Sequence, residues 1–576
     1  MLIIETALVI AAIILAFVLP RLGERWIAPW EQRFARFARR RQLSVLAVGL
    51  AALGLRLLLL PVLPIPEPAV HDEYSYLLAA DTFAHGRLAN PTHPLWMHFE
   101  TFHVNQKPTY VSMYYPAQGL FLAFGQVIFG HPFWGVCLST ALMCAAVCWM
   151  LQGWFPPLWA LLGGLLSVIR LGTFSYWMNS YWGGSVSALG GALVLGALPR
   201  VKRTQRIRDA LLMGLGFAII ANSRPYEGLF FSFPVFVNLW LWIRRAKSSP
   251  QPVILGNFIV PLAVVFALTL GGMGYYFWRT TGSPLETPYV VNVRTYFSVP
   301  AFPWLPVKAP PVYNHAIMQN FYQGWIAQEY ELSRHHPLLV IIVRACMVWF
   351  FFLGPLLTLP LFALCFVLPY GISFRDLKPA AKLFLGVCGV VFLGAMLPIG
   401  LDPHYIAPVT CAFYALILMA MQQTRHWRPD GRPIGIALVR VVLIVAVLLF
   451  AIRTVIPSTG KEETFLKLAT WYAPVTFNTY RARIISQLNA TPEPDLVIVR
   501  YGPDHISNDE WVYDAADIDH SKIVWARDMG EPKNSELIEY FKNRKVWMVE
   551  PDIIPPQLTP YESRHLADFS SPKGRR

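Results

Sequence analysis

The chain has 576 residues, 55% of them hydrophobic and 14% charged, with a formal net charge of +14. That is too apolar for a soluble protein of this length and places the chain among polytopic α-helical membrane proteins. Residues 1–460 carry net +17 and residues 461–576 net −3, so the basic excess belongs to the membrane part, where topology explains it and nucleic acid is not needed.

Twelve apolar runs read as spans, at about 2–20, 43–64, 133–152, 157–171, 184–199, 210–223, 229–243, 253–277, 344–370, 383–400, 405–422 and 434–456. The first has no basic segment ahead of it, which predicts a retained span and not a cleaved signal. The four runs between 157 and 243 are short for a hydrocarbon layer of about 30 Å. Loops 21–41, 200–208, 244–247, 375–382 and 425–432 hold 21 Lys and Arg, against 6 in the alternate loops 65–132, 172–183, 279–337 and 401–404. The positive-inside rule makes the first set cytoplasmic and turns the 65–132 loop, the 279–337 loop and the C-terminal tail outward. The seven cysteines all lie in apolar runs with no CxxC pair, which suggests neither a zinc motif nor a disulfide framework.

The first outer loop begins "VHDEYSYLLAADTFAHGRL". Asp72 is placed to cap a helix, Glu73 is a first-turn acid favoured by the helix dipole, and Gly86 is a natural stop. "AQGLFLAFGQVIFG" at 117–130, bounded by Pro116 and Pro132, reads as a helix lying in the membrane interface. In the tail, "DLVIVRY" (495–501), "KIVWARD" (522–528) and "KVWMVEPD" (545–552) read as buried strands, with a helix at 534–544 between the last two. The expected organisation is an N-terminal span with an Arg-rich loop (1–42), a membrane core (43–456) and a small extracytoplasmic α/β domain (457–576).

Four separated segments deliver polar groups to the predicted outer face: His71, Asp72 and Glu73; Asn179; Arg224 and Glu227; and Asp402 with His404. Intramembrane and juxtamembrane polar residues are functional candidates by default. A carboxylate there can act as general base for an acceptor, and a guanidinium can hold a phosphate leaving group. Tyr74, Tyr76, Trp177, Tyr181 and Trp182 offer faces for stacking on sugars. Structural roles compete with each of these. Asp72 as a cap, Glu73 as a solvated acid, an Arg224–Glu227 pair at i,i+3 and an aromatic belt are all ordinary outcomes. The trio His71, Asp72 and Glu73 is weak evidence for a metal, because adjacent residues rarely point together; no cofactor is assigned, and a divalent cation is left as an option.

The acidic pair with its following loop, together with "YYPAQGLFLAFGQVIFG" and "HYIAPVTCAFYALIL" (404–418), resembles the GT-C superfamily of integral membrane glycosyltransferases. The likeness is to the branch (glycosyltransferase family 39-like) containing protein O-mannosyltransferases and the aminoarabinose transferase of lipid A, and it covers roughly 43–456. It implies a polyprenyl-phosphate sugar donor, transfer at the outer face of the plasma membrane with inversion, and a lipid, glycan or protein acceptor. By position, Asp72 matches the catalytic acid and Glu73 its supporting neighbour. Arg224 is nominated for the donor phosphate on physical grounds, with Lys107 and Arg279 as lesser candidates. His71, Tyr74, Asn179, Trp182, Glu227 and His404 are nominated for substrate. The extra first span and the tail depart from the family pattern and leave the acceptor open. The alternative is a transporter or lipid flippase, which calls for charges near the bilayer midplane and two related halves; Arg56 and Arg440 are the clearest mid-span charges. An assembly factor that works through its tail is a third reading.

Overall fold

The computed structural model describes residues 1–68, 70–245, 251–367, 377–456, 470–472 and 479–561. Helices dominate as far as Val455, and a four-stranded sheet with two flanking helices forms the tail. Among the described residues six helices are long and apolar enough to cross a membrane, or up to seven if one bent pair counts as a single span; five shorter apolar helices accompany them. Twelve separate spans are therefore not what the long helices alone provide.

The 344–370 run departs most clearly from its expected form. It divides into helices Pro337–Phe352 and Gly354–Val367. The break has an internal cause. Gly354 adopts φ +59, and a Cβ there would lie 2.6 Å from the Arg170 guanidinium and 2.8 Å from Glu5. Arg170 donates to the carbonyls of Phe350 and Phe351 at the end of the first helix. Glu5 accepts from the Leu356 amide at the start of the second (3.1 Å) and from the Trp471 indole (3.1 Å). The Glu5–Arg170 pair, 3.4 Å apart and buried on both sides, thus supplies the partners that a broken helix inside apolar surroundings requires. It also explains how the extra first helix, Leu2–Val18, is tied into the bundle.

Neither Arg56 nor Arg440 is a free mid-span charge. Arg56 donates to Leu63 and Pro64 carbonyls at the end of its own span (2.8 and 2.9 Å). Arg440 pairs with Glu31 of the Arg-rich segment at 2.9 Å.

The helix read as interfacial forms at Pro116–Phe129, with proline in its first turn and Gly130 left-handed at its end. Leu120, Phe124, Val127 and Ile128 along it are exposed. It folds back on Phe133–Leu151 so closely that a Cβ on Gly125 would stand 2.2 Å from the Gly135 nitrogen.

The three tail segments read as strands form one sheet: β3 (Asp495–Val499) between parallel β4 (Ile523–Arg527) and β5 (Lys545–Val549), with β6 (Leu558–Pro560) antiparallel to β5. β1 (Val104–Asn105) and β2 (Val111–Ser112) make a small ribbon in the 65–132 loop. One face of the tail sheet has a core of its own, in which Val497, Val499 and Trp525 pack with Ile484, Leu488 and Trp511; the other face is shared with the outer loop. Leu78, Phe99, Val104 and Tyr110 from the loop pack into one cluster with Leu496, Ile498, Val524 and Phe541.

Candidate active site

The helix carrying the acidic pair runs His71–Ala84. Its N-cap is Val70, which has no side-chain acceptor, so Asp72 is not the cap that its position suggested. Glu73, three residues on, does the capping: one oxygen accepts from the Val70 amide (3.2 Å) and the other from the Tyr181 amide (2.8 Å). Both Glu73 oxygens are thus engaged in joining the helix start to the 173–184 loop. This releases Asp72, whose side chain is 20% exposed, for other partners. Tyr114 donates its hydroxyl to Asp72 Oδ1, and Tyr76 stacks on Tyr114 with centroids 4.4 Å apart.

On the other side of Asp72 lie two histidines. His71 Nδ1 is 3.1 Å from Asp72 Oδ2, and the His71 and His103 rings are 4.5 Å apart. His103 is buried, and its backbone is left-handed at φ 60, uncommon for a residue with a side chain. Its carbonyl accepts from Ser75 Oγ at 2.7 Å and from the Met113 amide at 3.0 Å. Burial by itself would raise the Asp72 carboxyl; the pull of His71 and the Tyr114 hydrogen bond outweigh it and hold Asp72 well below the usual carboxylate range. Burial pushes the His103 imidazole down to about 3.

Arg224 sits just before the Pro225–Arg245 helix, its guanidinium carbon 4.3 Å from the Tyr405 ring centroid. It forms no ion pair with Glu227 or with any other described residue, so the i,i+3 pair does not form. The charges of Asp72 and Arg224 both reach Asp402, His404 and Tyr405. Three of the four predicted segments therefore place a charged or ionisable group in one electrostatic environment. The fourth, at 173–184, frames it: Asn179 donates to the Thr173 and Ser175 carbonyls (2.7 and 2.9 Å), holding its own loop.

Other sequence candidates are engaged elsewhere. His404 is tied to the Tyr176 hydroxyl (2.9 Å) and packs edge-on to Trp182. Tyr74 is buried against Tyr513, 4.5 Å between centroids, and beneath Arg481 of the tail, so it binds the outer loop to the sheet and offers no face to a sugar. Lys107 is exposed and lies over Trp96, and Arg279 is bonded to Tyr275; among the described residues neither touches Asp72, Arg224 or Asp402. Sequence reasoning missed His103 and Tyr114. A signal for His103 was present: five of the fourteen histidines fall between 71 and 103.

Asp402 carries a pH prediction. Burial first, then the negative charges of Asp72 and Glu329, raise its carboxyl to about 7 against the opposing pull of Arg224 and Arg344. A raised folded-state value means that the folded protein binds this proton more tightly than the unfolded chain does. The stabilising contribution is complete below pH 4 and is lost as pH rises through about 7. Asp402→Asn is expected to be more stable than wild type at pH 8, by on the order of 2 kcal/mol allowing for partial solvent access, and no more stable at pH 4. Thermal unfolding in detergent across that range checks it; parallel curves for the two proteins would count against a protonated Asp402.

No protein-family model matches the chain, and no curated protein matches it. Solved structures with a similar fold include the oligosaccharyltransferase of Archaeoglobus fulgidus tethered to an acceptor peptide, at 12% identity and a TM-score of 0.46, over 88% of this chain and 68% of that one. ArnT from Cupriavidus metallidurans is similar in its apo state, at 12% identity and a TM-score of 0.46, over 89% of this chain and 93% of that one. The form of ArnT bound to undecaprenyl phosphate gives 13% identity and a TM-score of 0.44, over 88% and 92%. Similarity this distant transfers no substrate, mechanism or residue role to the present chain.

Proposed function

We propose that this chain is an integral membrane glycosyltransferase that moves a sugar from a polyprenyl-phosphate donor to an acceptor at the outer face of the plasma membrane. The observation that carries the reading is the pairing, in one electrostatic environment, of an ionised and partly accessible carboxylate, Asp72, with a guanidinium, Arg224, that has no ion-pair partner among the described residues. An unpaired cation beside aromatic rings at a bundle end is suited to a phosphate that arrives with the substrate.

In the proposed step an acceptor hydroxyl or amine attacks the anomeric carbon from the face opposite the phosphate. The new bond to the acceptor forms as the bond between the anomeric carbon and the phosphate oxygen breaks, inverting the centre. The acceptor proton passes to Asp72, and the bond electrons leave with the polyprenyl phosphate, whose charge Arg224 stabilises. Glu73 supports by fixing the helix start. The tail also holds this helix: Asp81 accepts from the Ala516 amide, in the segment ahead of β4, at 2.8 Å.

Release of polyprenyl phosphate from a polyprenyl-phosphate sugar by the purified full chain tests the reading. Arg224→Ala is expected to lower the rate about 10²-fold, in line with the removal of one preorganised charge donor, and Arg224→Lys to recover part of it because the charge returns without the planar fork. Absence of release with both hexose and pentose donors, in the presence of membrane extracts as acceptor source, would count against a transferase.

A further inference from the structure

His71, Asp72 and His103 each offer a ligand atom, and the three atoms lie within 4.8 Å of one another. Of these residues, His71 Nδ1 and Asp72 Oδ2 are 3.1 Å apart. Zinc binds such atoms at about 2.0–2.1 Å, which puts tetrahedral neighbours ~3.3–3.5 Å apart, so a contraction of at most about 1.5 Å along any edge completes the set. A second observation is independent of this spacing. Both ring nitrogens of His103 and Nε2 of His71 are buried and lack a hydrogen-bond partner, and His71 Nδ1 meets only the Asp72 carboxylate; the two residues are 4% (His71) and 8% (His103) exposed. Unsatisfied buried nitrogens cost about 1–3 kcal/mol each, and the two rings, inclined at 42° to one another, have no protein partner beyond that carboxylate to relieve them.

We infer that His71, Asp72 and His103 bind a divalent transition-metal cation. Two imidazoles and one carboxylate suit zinc or manganese better than magnesium or calcium, which prefer all-oxygen sets. The site is built. The His103 carbonyl is held by Ser75 and Met113, and Phe102 and Phe321 pack on the His71 ring at 5.3 and 4.9 Å. Three protein ligands leave at least one position open. In this protein the open position would take a donor phosphate oxygen or the acceptor hydroxyl; that use rests on the transferase reading, whereas the binding itself does not.

The test is metal binding by the tag-free full chain in detergent, stripped with EDTA and titrated with Zn²⁺ and separately with Mn²⁺. Calorimetry and elemental analysis read the stoichiometry, and Co²⁺ substitution reads the ligand field by absorption. About one ion per chain is expected. His103→Asn, which tolerates the left-handed backbone, and His71→Phe, which keeps the ring packing, are each expected to weaken binding at least ~100-fold, since even outer-sphere partners of a metal are worth about 10–100-fold. His93→Gln, whose histidine faces Asp519 of the tail, should bind as wild type does. No stoichiometric uptake by the wild-type chain overturns the site, as does unchanged affinity in both the His71 and His103 variants. Stoichiometric uptake by a chain that transfers no sugar would uphold the site while removing the transferase reading.

Discussion

Asp72→Asn lowers the rate of sugar transfer by about 10³-fold while the chain remains folded and membrane-inserted. The size follows from general-base assistance, typically worth about 10²–10⁴-fold, and the retention of fold follows from what the side chain touches. An asparagine oxygen can still accept the Tyr114 hydroxyl that now meets Oδ1. The helix start does not depend on Asp72, because Glu73 makes the capping bond to Val70 and the bond to Tyr181. Glu73→Gln should therefore behave in the opposite way, with lower stability and a smaller change in rate. Asp72 is held below the ordinary carboxylate range, so it stays ionised at mildly acidic pH and gives the wild-type profile no acid limb of its own. The measurement is initial rate against donor concentration at equal, quantified protein. Equal rates for wild type and Asp72→Asn would remove Asp72 from proton transfer.

Arg170→Ala destabilises the chain by about 3–5 kcal/mol, the range seen when one member of a buried ion pair is deleted. The substitution strands Glu5, 2% exposed, and strips the donors from the Phe350 and Phe351 carbonyls at a helix end inside apolar surroundings. The position is far from solvent rescue, so the lost partners are not replaced by water. Glu5→Gln should cost less, because the amide oxygen can still accept from the Leu356 amide at the Oε1 position and only the Trp471 indole, which bonds Oε2, loses its acceptor. Thermal unfolding in detergent, or the fraction monodisperse after heating, reads both variants. A shift equivalent to under ~1 kcal/mol for Arg170→Ala would mean that the break at Leu353 is held by packing alone.

The residues differ in how far the sequence announced them. Asp72 and Glu73 stand out as adjacent acids in an otherwise basic membrane part, yet the division of labour between them was reversed at the level of capping. Helix preference makes Asp72 a good cap at the expected boundary, but the helix begins two residues earlier, with Val70 at the cap, and hands the role to Glu73. Arg224 was legible as an outer-end cation, but its lack of a partner was not, because spacing alone allows the Glu227 pair. His103 carried no motif. It joins His71 across thirty residues of loop only because the β1–β2 ribbon and Ser75 fix its backbone. The tail was legible as strands and a helix, since alternation and apolar runs are local signals. Its shared core with the first loop was not, since strands buried on both faces do not say what covers them.

The sequence by itself determined that this is a membrane protein with its basic loops segregated, an adjacent acidic pair and many of its histidines in one loop, and an α/β tail. Composition and periodicity suffice for that, because they follow from the solvent each residue must face. Only the tertiary structure decided that Glu5 and Arg170 close a broken helix, that Tyr74 belongs to the tail interface, and that His71, Asp72 and His103 meet. Those outcomes join residues tens to hundreds of positions apart, and the close packing that selects one such pairing over its rivals is a property of the assembled fold.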